Sequence, residues 1–203
     1  KKIIYYFKFI LYMIEYIIVI LVSAFLGASM KIADLLDEHN FRWFKYSDLL
    51  FGLFWGISGA YLITINQILA TIWISVLFCF IVRYRLDYLN HGIAAAIWFI
   101  TMLYTNYSIW TNLISFVYFA SLFTITGLIH DYFQYKNQNI RGIMKLIFID
   151  FKLYWYIIAL GYSLYSWDIH PILTIWTFEY VYDYFSSRNA ESLLNKLGMK
   201  KIF

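Results

Sequence analysis

Four polar phrases interrupt an otherwise apolar chain, and each carries side chains able to bind or activate a polar substrate. The first reads "KIADLLDEHNFRWFKYSD" and sets Asp34, Asp37 and Glu38 at i, i+3 and i+4. On a helix that spacing puts three carboxylates on one face. They repel one another unless a cation sits among them, which suits a divalent metal such as Mg²⁺. Otherwise they form a solvated helix end balanced by Lys31, Arg42 and Lys45. The second phrase, "RYRLDYLNHG", spaces Arg83, Asp87 and His91 along one helical stripe, with Arg85 pointing elsewhere. Asp87 is placed either to hold a metal or to orient His91 through a charge-assisted hydrogen bond. Arg83 is placed to take a lipid phosphate, or merely to anchor the helix end and pair with Asp87.

The third phrase, "HDYFQYKNQNIRG", supplies His130, Asp131 and Lys136, and the fourth, "EYVYDYFSSRN", supplies Glu179 and Asp183. Asp-Tyr recurs at Asp87-Tyr88, Asp131-Tyr132 and Asp183-Tyr184, and the last two copies share D-Y-F-x-x-[KR]-N. Three hairpins that each deliver an acid and a tyrosine to one surface predict internal repetition around a common cavity. The competing reading is that Tyr, Phe and Asp meet often in an aromatic chain, with Tyr at home in membrane interfaces.

The elements that must position these groups are membrane helices. The 203 residues are 63% hydrophobic and 23% aromatic, with only 14% charged, too little polar surface for a soluble domain of this size. Residues 49–82 and 92–129 contain no Asp, Glu, Lys, Arg or His. Each run is too long for one span of about 20 residues and suits two spans joined by a turn. The expectation is an all-α integral membrane protein, one domain over residues 1–203. Its bundle would hold about seven transmembrane helices, over 3–30, 48–65, 68–84, 92–106, 109–129, 143–165 and 169–185. It would hold six if the first segment does not fully cross. The first of these reads as a span, not a cleaved leader. Residues 186–203 follow as an interfacial amphipathic helix with Leu193, Leu194 and Leu197 on one face. The lone Cys79 excludes an intrachain disulfide and reads as a small buried hydrophobe.

Twelve of the sixteen Lys and Arg residues fall in the connections 31–47, 83–91 and 130–145 and in the C-terminal tail. The intervening turns near Asn66, Asn106 and Asp168 carry none. The positive-inside rule therefore places the polar loops and the C-terminus in the cytoplasm, against the vote of Lys1, Lys2 and Lys8. Polar chemistry is expected at that boundary. Inside the spans, Glu15, Asp150, Lys152 and Glu179 are costly to bury and need partners; Lys152 with Glu179 or Glu15 is a reasonable pair.

At "TGLIHDYFQYKNQNIRG", residues 126–142, the wording resembles the UbiA superfamily of intramembrane prenyltransferases. Those proteins carry Asp-rich phrases of the type N-D-Y-x-D-x-x-x-D at the cytoplasmic ends of their helices. The phrases bind Mg²⁺ and, through it, a prenyl diphosphate. Asp131 matches the motif, His130 stands in place of Asn, and Gln134 and Gln138 replace two acids. The resemblance implies Mg²⁺-dependent prenyl transfer, with replacement ligands drawn from the other loops.

Three functions compete on these residues. The first is an enzyme on a lipid phosphate or prenyl diphosphate. In it Asp34, Asp37, Glu38 and Asp87 hold Mg²⁺, Lys31, Arg83 and Lys136 hold the head group, and His91, His130 and Asp131 act on it. The second is a transporter or channel built on Glu15, Asp150, Lys152 and Glu179. The third is a non-enzymatic subunit of a larger membrane complex or homo-oligomer. A nucleic-acid role is excluded, because orientation accounts for the positive charge. The enzyme reading requires Asp34, Asp87 and His130 around one cavity, and the transport reading requires a polar route between Glu15 and Glu179.

Overall fold

The computed structural model describes residues 2–38, 41–105, 107–135, 141–186, 192, 195–196 and 198–201. Eight helices account for its regular structure: α1 (Lys2–Glu38), α2 (Ser47–Ile65), α3 (Gln67–Val82), α4 (Leu89–Tyr104), α5 (Leu113–Tyr135), a single turn α6 (Ile143–Lys145), α7 (Leu153–Ser166) and α8 (His170–Ser186). Only a two-residue antiparallel pairing of Phe41–Arg42 with Lys200–Lys201 departs from the all-helical pattern. Three segments, Tyr6–Glu38, Ser47–Ile65 and Leu113–Tyr135, are long and apolar enough to cross a membrane, whereas α3 and α4 are apolar but shorter. Lys136, Leu193, Leu194 and Leu197 lie outside the described residues.

The charge-free run 49–82 turns at Asn66, as its length required. Asn66 takes an extended backbone, and its Oδ1 accepts from Leu69 N at 2.9 Å, capping α3. The sixth expected span behaves differently. After α6 the chain makes a π-helical stretch over Leu146–Asp150 and breaks at Phe151 and Lys152 before α7 starts. Lys152 sits at φ 46°, ψ 40°, a left-handed conformation that disfavours any residue with a Cβ. Neither Gly nor Pro marks the break, so the sequence offered one continuous helix over 143–165.

α1 packs against α2 and α8, α2 against α3 and α4, α3 against α5, and α7 against α8. α1 and α8 run parallel: contacts from Glu15, Ser23 and Asp34 meet His170, Thr174 and Tyr182 in the same order. The α2–α4 seam is made by glycine. A Cβ on Gly52 would lie 2.8 Å from Asn90 Cβ, and one on Gly56 3.0 Å from Ala94 Cα. At Gly59 the added carbon would strike the Trp98 ring. This small-residue stripe lets two membrane helices meet backbone to backbone. Trp98 uses the closeness, donating from Nε1 to Gly56 O at 2.9 Å. Gly56→Leu should therefore cost about 1–3 kcal/mol through overpacking. A detergent-denaturation curve that moves by less than ~0.5 kcal/mol would show that the seam is loose.

Edge-to-face rings build the core beneath: Trp55 on Trp98, Trp98 on Trp73 and Trp73 on Phe178, with centroids 5.2–5.7 Å apart. Cys79 is fully buried, as expected of a small hydrophobe. The outer surface is apolar: Leu21 and Phe25 on α1, Ile114 and Val117 on α5, and Leu160 and Leu164 on α7 are all exposed. Such a surface suits hydrocarbon rather than water.

Candidate functional site

Five connected elements bring their polar ends to one end of the bundle, around a cavity of about 410 Å³. α1 contributes Lys31, Asp34 and Glu38; the α3–α4 turn and the first turn of α4 contribute Arg83, Arg85, Asp87, Tyr88 and His91. His130 and Gln134 come from α5, Lys152, Tyr154 and Trp155 from the broken segment and α7, and Phe178, Glu179 and Tyr182 from α8. Asp34, Asp87 and His130 thus share one cavity, the arrangement the enzyme reading required.

His91 is the crossing point of the first corner. Its Nε2 lies 2.8 Å from Asp34 Oδ1, and its Nδ1 lies 3.0 Å from Asp87 Oδ1 and 2.9 Å from Arg85 O. Both ring nitrogens face acceptors, so the imidazole ties α1, the turn and α4 together. Tyr182 Oη donates to Asp34 Oδ2 at 2.8 Å and adds α8 to the same knot. Lys31 lies 3.6 Å from Glu38 and 5.2 Å from the centre of the Tyr182 ring, a cation–π distance. Burial, followed by the carboxylates of Asp87, Glu38, Asp37 and Asp34, holds the Tyr88 phenol above its usual value and keeps it a neutral donor.

The second corner is cationic. Arg83 donates from Nε and Nη2 to the two carboxylate oxygens of Asp131 at 2.9 and 2.8 Å, and Arg85 Nη2 donates to the same carboxylate. Two guanidinium groups on one carboxylate leave an excess positive charge. Gly127, one turn before Asp131, makes room, since a Cβ there would lie 2.6 Å from Arg83 Nη1. His130 donates from Nδ1 to the carbonyl of Phe148, the carbonyl presented by the π-helical stretch. That bond fixes the tautomer and leaves Nε2 with its lone pair. Nε2 has no hydrogen-bond partner among the described residues. The third corner holds Lys152, whose Nζ lies 2.9 Å from Asp183 Oδ1 and 5.1 Å from the Tyr182 ring centre. Glu179 stands beside it, 4% exposed.

The expected site residues sort accordingly. Lys31, Asp34, Glu38, Arg83, Asp87, His91 and His130 line the cavity. Asp37 does not: it accepts from Arg42 Nη2 at 2.9 Å and from Asn90 Nδ2 at 2.7 Å, on the α2–α4 side. Asp131 is turned to the arginines behind the wall, so its part is to hold Arg83 and Arg85. Arg85 was expected to point elsewhere, yet it reaches the cavity. α3 ends at Val82 and Tyr84 takes φ 54°, so helical spacing does not carry through the turn. Glu15 and Lys152 lie at opposite ends, and Lys152 pairs with Asp183 instead. The three Asp-Tyr copies do arrive at one end, but their acids do different things: Asp87 holds His91, Asp131 two arginines, and Asp183 Lys152. Tyr154 and Tyr182 were not singled out, since nothing distinguishes them among 20 tyrosines.

The donor set does not fit a resident Mg²⁺. Asp34, Asp37, Glu38 and Asp87 each already meet a protein donor or cation. No group of three or more His, Cys, Asp or Glu among the described residues is arranged to hold a metal ion.

At the far end, Glu15 Oε1 lies 3.1 Å from His170 Nε2, and His170 Nδ1 lies 2.6 Å from Asp168 Oδ1. Burial pushes the Asp168 carboxyl up, and the hydrogen bonds from the His170 ring and backbone outweigh it, leaving the group below its usual value. Asn66 Nδ2 donates to Glu15 Oε1 at 3.3 Å. This cluster fastens α1 to the α2–α3 and α7–α8 turns. Between the two polar ends, Val19, Ser23, Leu26, Thr174 and Ile175 are fully buried.

Among known proteins, no family model, curated sequence or solved structure matches this chain, and the resemblance to the intramembrane prenyltransferases rests on residues 126–142 alone.

Proposed function

We propose that this chain is a membrane-embedded enzyme acting on the phosphate or diphosphate head of a lipid. The observation that carries the reading is the convergence, from α1, the α3–α4 turn with α4, α5, the break before α7, and α8, of acids, cations and a histidine with a free Nε2 on one cavity. In this reading the shorter helices complete a seven-pass bundle, and the cavity opens at the cytoplasmic boundary that the basic loops mark. The lipid tail lies along the apolar outer surface. The head group meets the guanidinium corner, where two arginines share one acid and charge favours an anion.

His130 is then the proton acceptor. With Nδ1 committed to the Phe148 carbonyl, Nε2 can take the proton from a water that attacks the terminal phosphorus, releasing the rest of the lipid, or the prenyl carbon, releasing the phosphate or diphosphate. Asp34, His91 and Asp87 hold the opposite wall in place. No step is routed through a metal, because the carboxylates are already engaged. The transport reading is less well supported, since the section between Glu15 and Glu179 is packed with fully buried side chains.

The test is ³¹P NMR of the purified chain in lipid nanodiscs, given a prenyl phosphate and a prenyl diphosphate, with Mg²⁺ present or chelated. Wild type should convert one of them, and His130→Ala should slow conversion about 100-fold or more. If neither lipid is converted with or without Mg²⁺, the enzyme reading fails. Binding without conversion would favour the non-enzymatic subunit.

A further inference from the structure

The inner wall of the cavity presents an acceptor that lacks a donor. Glu179 is 4% exposed, and its Oε2 is buried without a hydrogen-bond partner among the described residues. An orphaned buried acceptor is unfavourable and uncommon in folded proteins. The neighbouring cation, Lys152, donates to Asp183 at 2.9 Å and acts on Glu179 through its charge. Glu179 lines the cavity together with Tyr154, Trp155 and Phe178, so its carboxyl stands in an enclosure with aromatic walls.

The missing donor belongs to a ligand, and the surroundings restrict its kind. An ammonium group would enter beside the Lys152 ammonium and be repelled by it. A hydroxyl donates without adding charge. At about 410 Å³ the cavity falls within the ~300–1,000 Å³ range of small-molecule sites. It therefore has room for a head group that extends past the phosphate. The guanidinium corner of Arg83 and Arg85 lies on the same wall system.

We infer that the cavity takes a lipid phosphate ester whose head carries a neutral hydroxyl beyond the phosphate, and that this hydroxyl donates to the Glu179 carboxyl. The inference rests on the lipid-phosphate reading above and adds the second half of the head group.

Three probes separate the two: dodecyl methyl phosphate, dodecylphosphoglycerol and dodecylphosphoethanolamine, titrated calorimetrically into the purified chain in maltoside micelles. Wild type should bind the glycerol ester about tenfold more tightly than the methyl ester, the worth of one hydrogen bond. Glu179→Met should bring the glycerol ester down to the methyl ester's affinity while leaving the methyl ester within about twofold, which also shows that the variant is folded. Glu179→Gln, which keeps an acceptor oxygen, should retain part of the preference. Equal affinities in wild type, a preference for the ethanolamine ester, or a preference that survives Glu179→Met would each overturn the inference. Binding of the methyl ester, and its loss in Arg85→Ala, reports on the phosphate reading alone. If none of the three probes binds, both readings fall.

Discussion

Asp131→Ala should destabilise the bundle by about 3–5 kcal/mol, because it strands a guanidinium that has no other acid to meet. Arg83 is the critical group: its side chain is 7% exposed, against 47% for Arg85. Both Arg83 bonds to Asp131 are of good length, 2.9 and 2.8 Å, and its remaining contact is to the Cys79 sulfur at 3.7 Å. With the carboxylate gone, the charge is left between Gly127 and an apolar helix face. Replacing both residues, as Arg83→Met with Asp131→Leu, should restore stability to within about 1–2 kcal/mol of wild type, since a buried ion pair is often no better than a packed apolar pair. Reversible unfolding in mixed detergent micelles, followed by far-UV circular dichroism, measures both. If the single replacement costs under about 1 kcal/mol, Arg83 finds another partner and the cationic corner is not held as described.

Asp34→Ala should cost a comparable amount, about 3–5 kcal/mol, by a different route. Asp34 is one of the most enclosed acids in the chain and serves two donors on two helices, His91 Nε2 at 2.8 Å and Tyr182 Oη at 2.8 Å. Removing it leaves both buried without an acceptor on that side and breaks one polar tie of α1 to α4 and one to α8. A double-mutant cycle with His91→Ala isolates the shared part, with a coupling energy expected in the range of about 1–3 kcal/mol. Additive losses would mean that the two side chains are neighbours without being partners. The same variant should bind lipid phosphates poorly, because it frees His91 and Tyr182, which line the cavity with it.

The sequence carried the fold where the chain punctuates itself chemically. The run 49–82 had to fold back once, and Asn66, followed by Gln67 between apolar stretches, is both the polar break and the cap that starts α3. It could not carry the break at Phe151 and Lys152, because that turn is imposed by packing on residues that favour a helix. The site shows the same division. His91 was visible as a group with no structural excuse in an interface, whereas Asp34 also read as part of a solvated helix end and Asp87 as a partner for Arg83. Asp34 and Asp37 were indistinguishable from their spacing, yet one faces the cavity and the other Arg42, a difference decided by where α2 and α4 lie against α1. Arg85 was misplaced by extending helical periodicity through a turn with a left-handed residue, Tyr84. Glu179 and Asp183, one turn apart on α8, were legible as a pair of acids and Lys152 as a cation for Glu179, but its hydrogen bond to Asp183 depended on the unforeseen break at Lys152.

The parallel contact of α1 with α8 has a consequence for biosynthesis. Asp34 and Tyr182 are separated by 148 positions in the chain. At typical translation rates the ribosome needs on the order of ten seconds to make that length. Throughout this interval α1, long and apolar enough to cross a membrane, exists while the helix that completes its polar face has not been made. Lys31 can meet Glu38 within its own helix, and His91 reaches Asp34 once α4 arrives, so the early charges acquire interim company. The cavity itself comes into being last, because α8 supplies Phe178, Glu179 and Tyr182, and a newborn chain has no such cavity until that helix has been made.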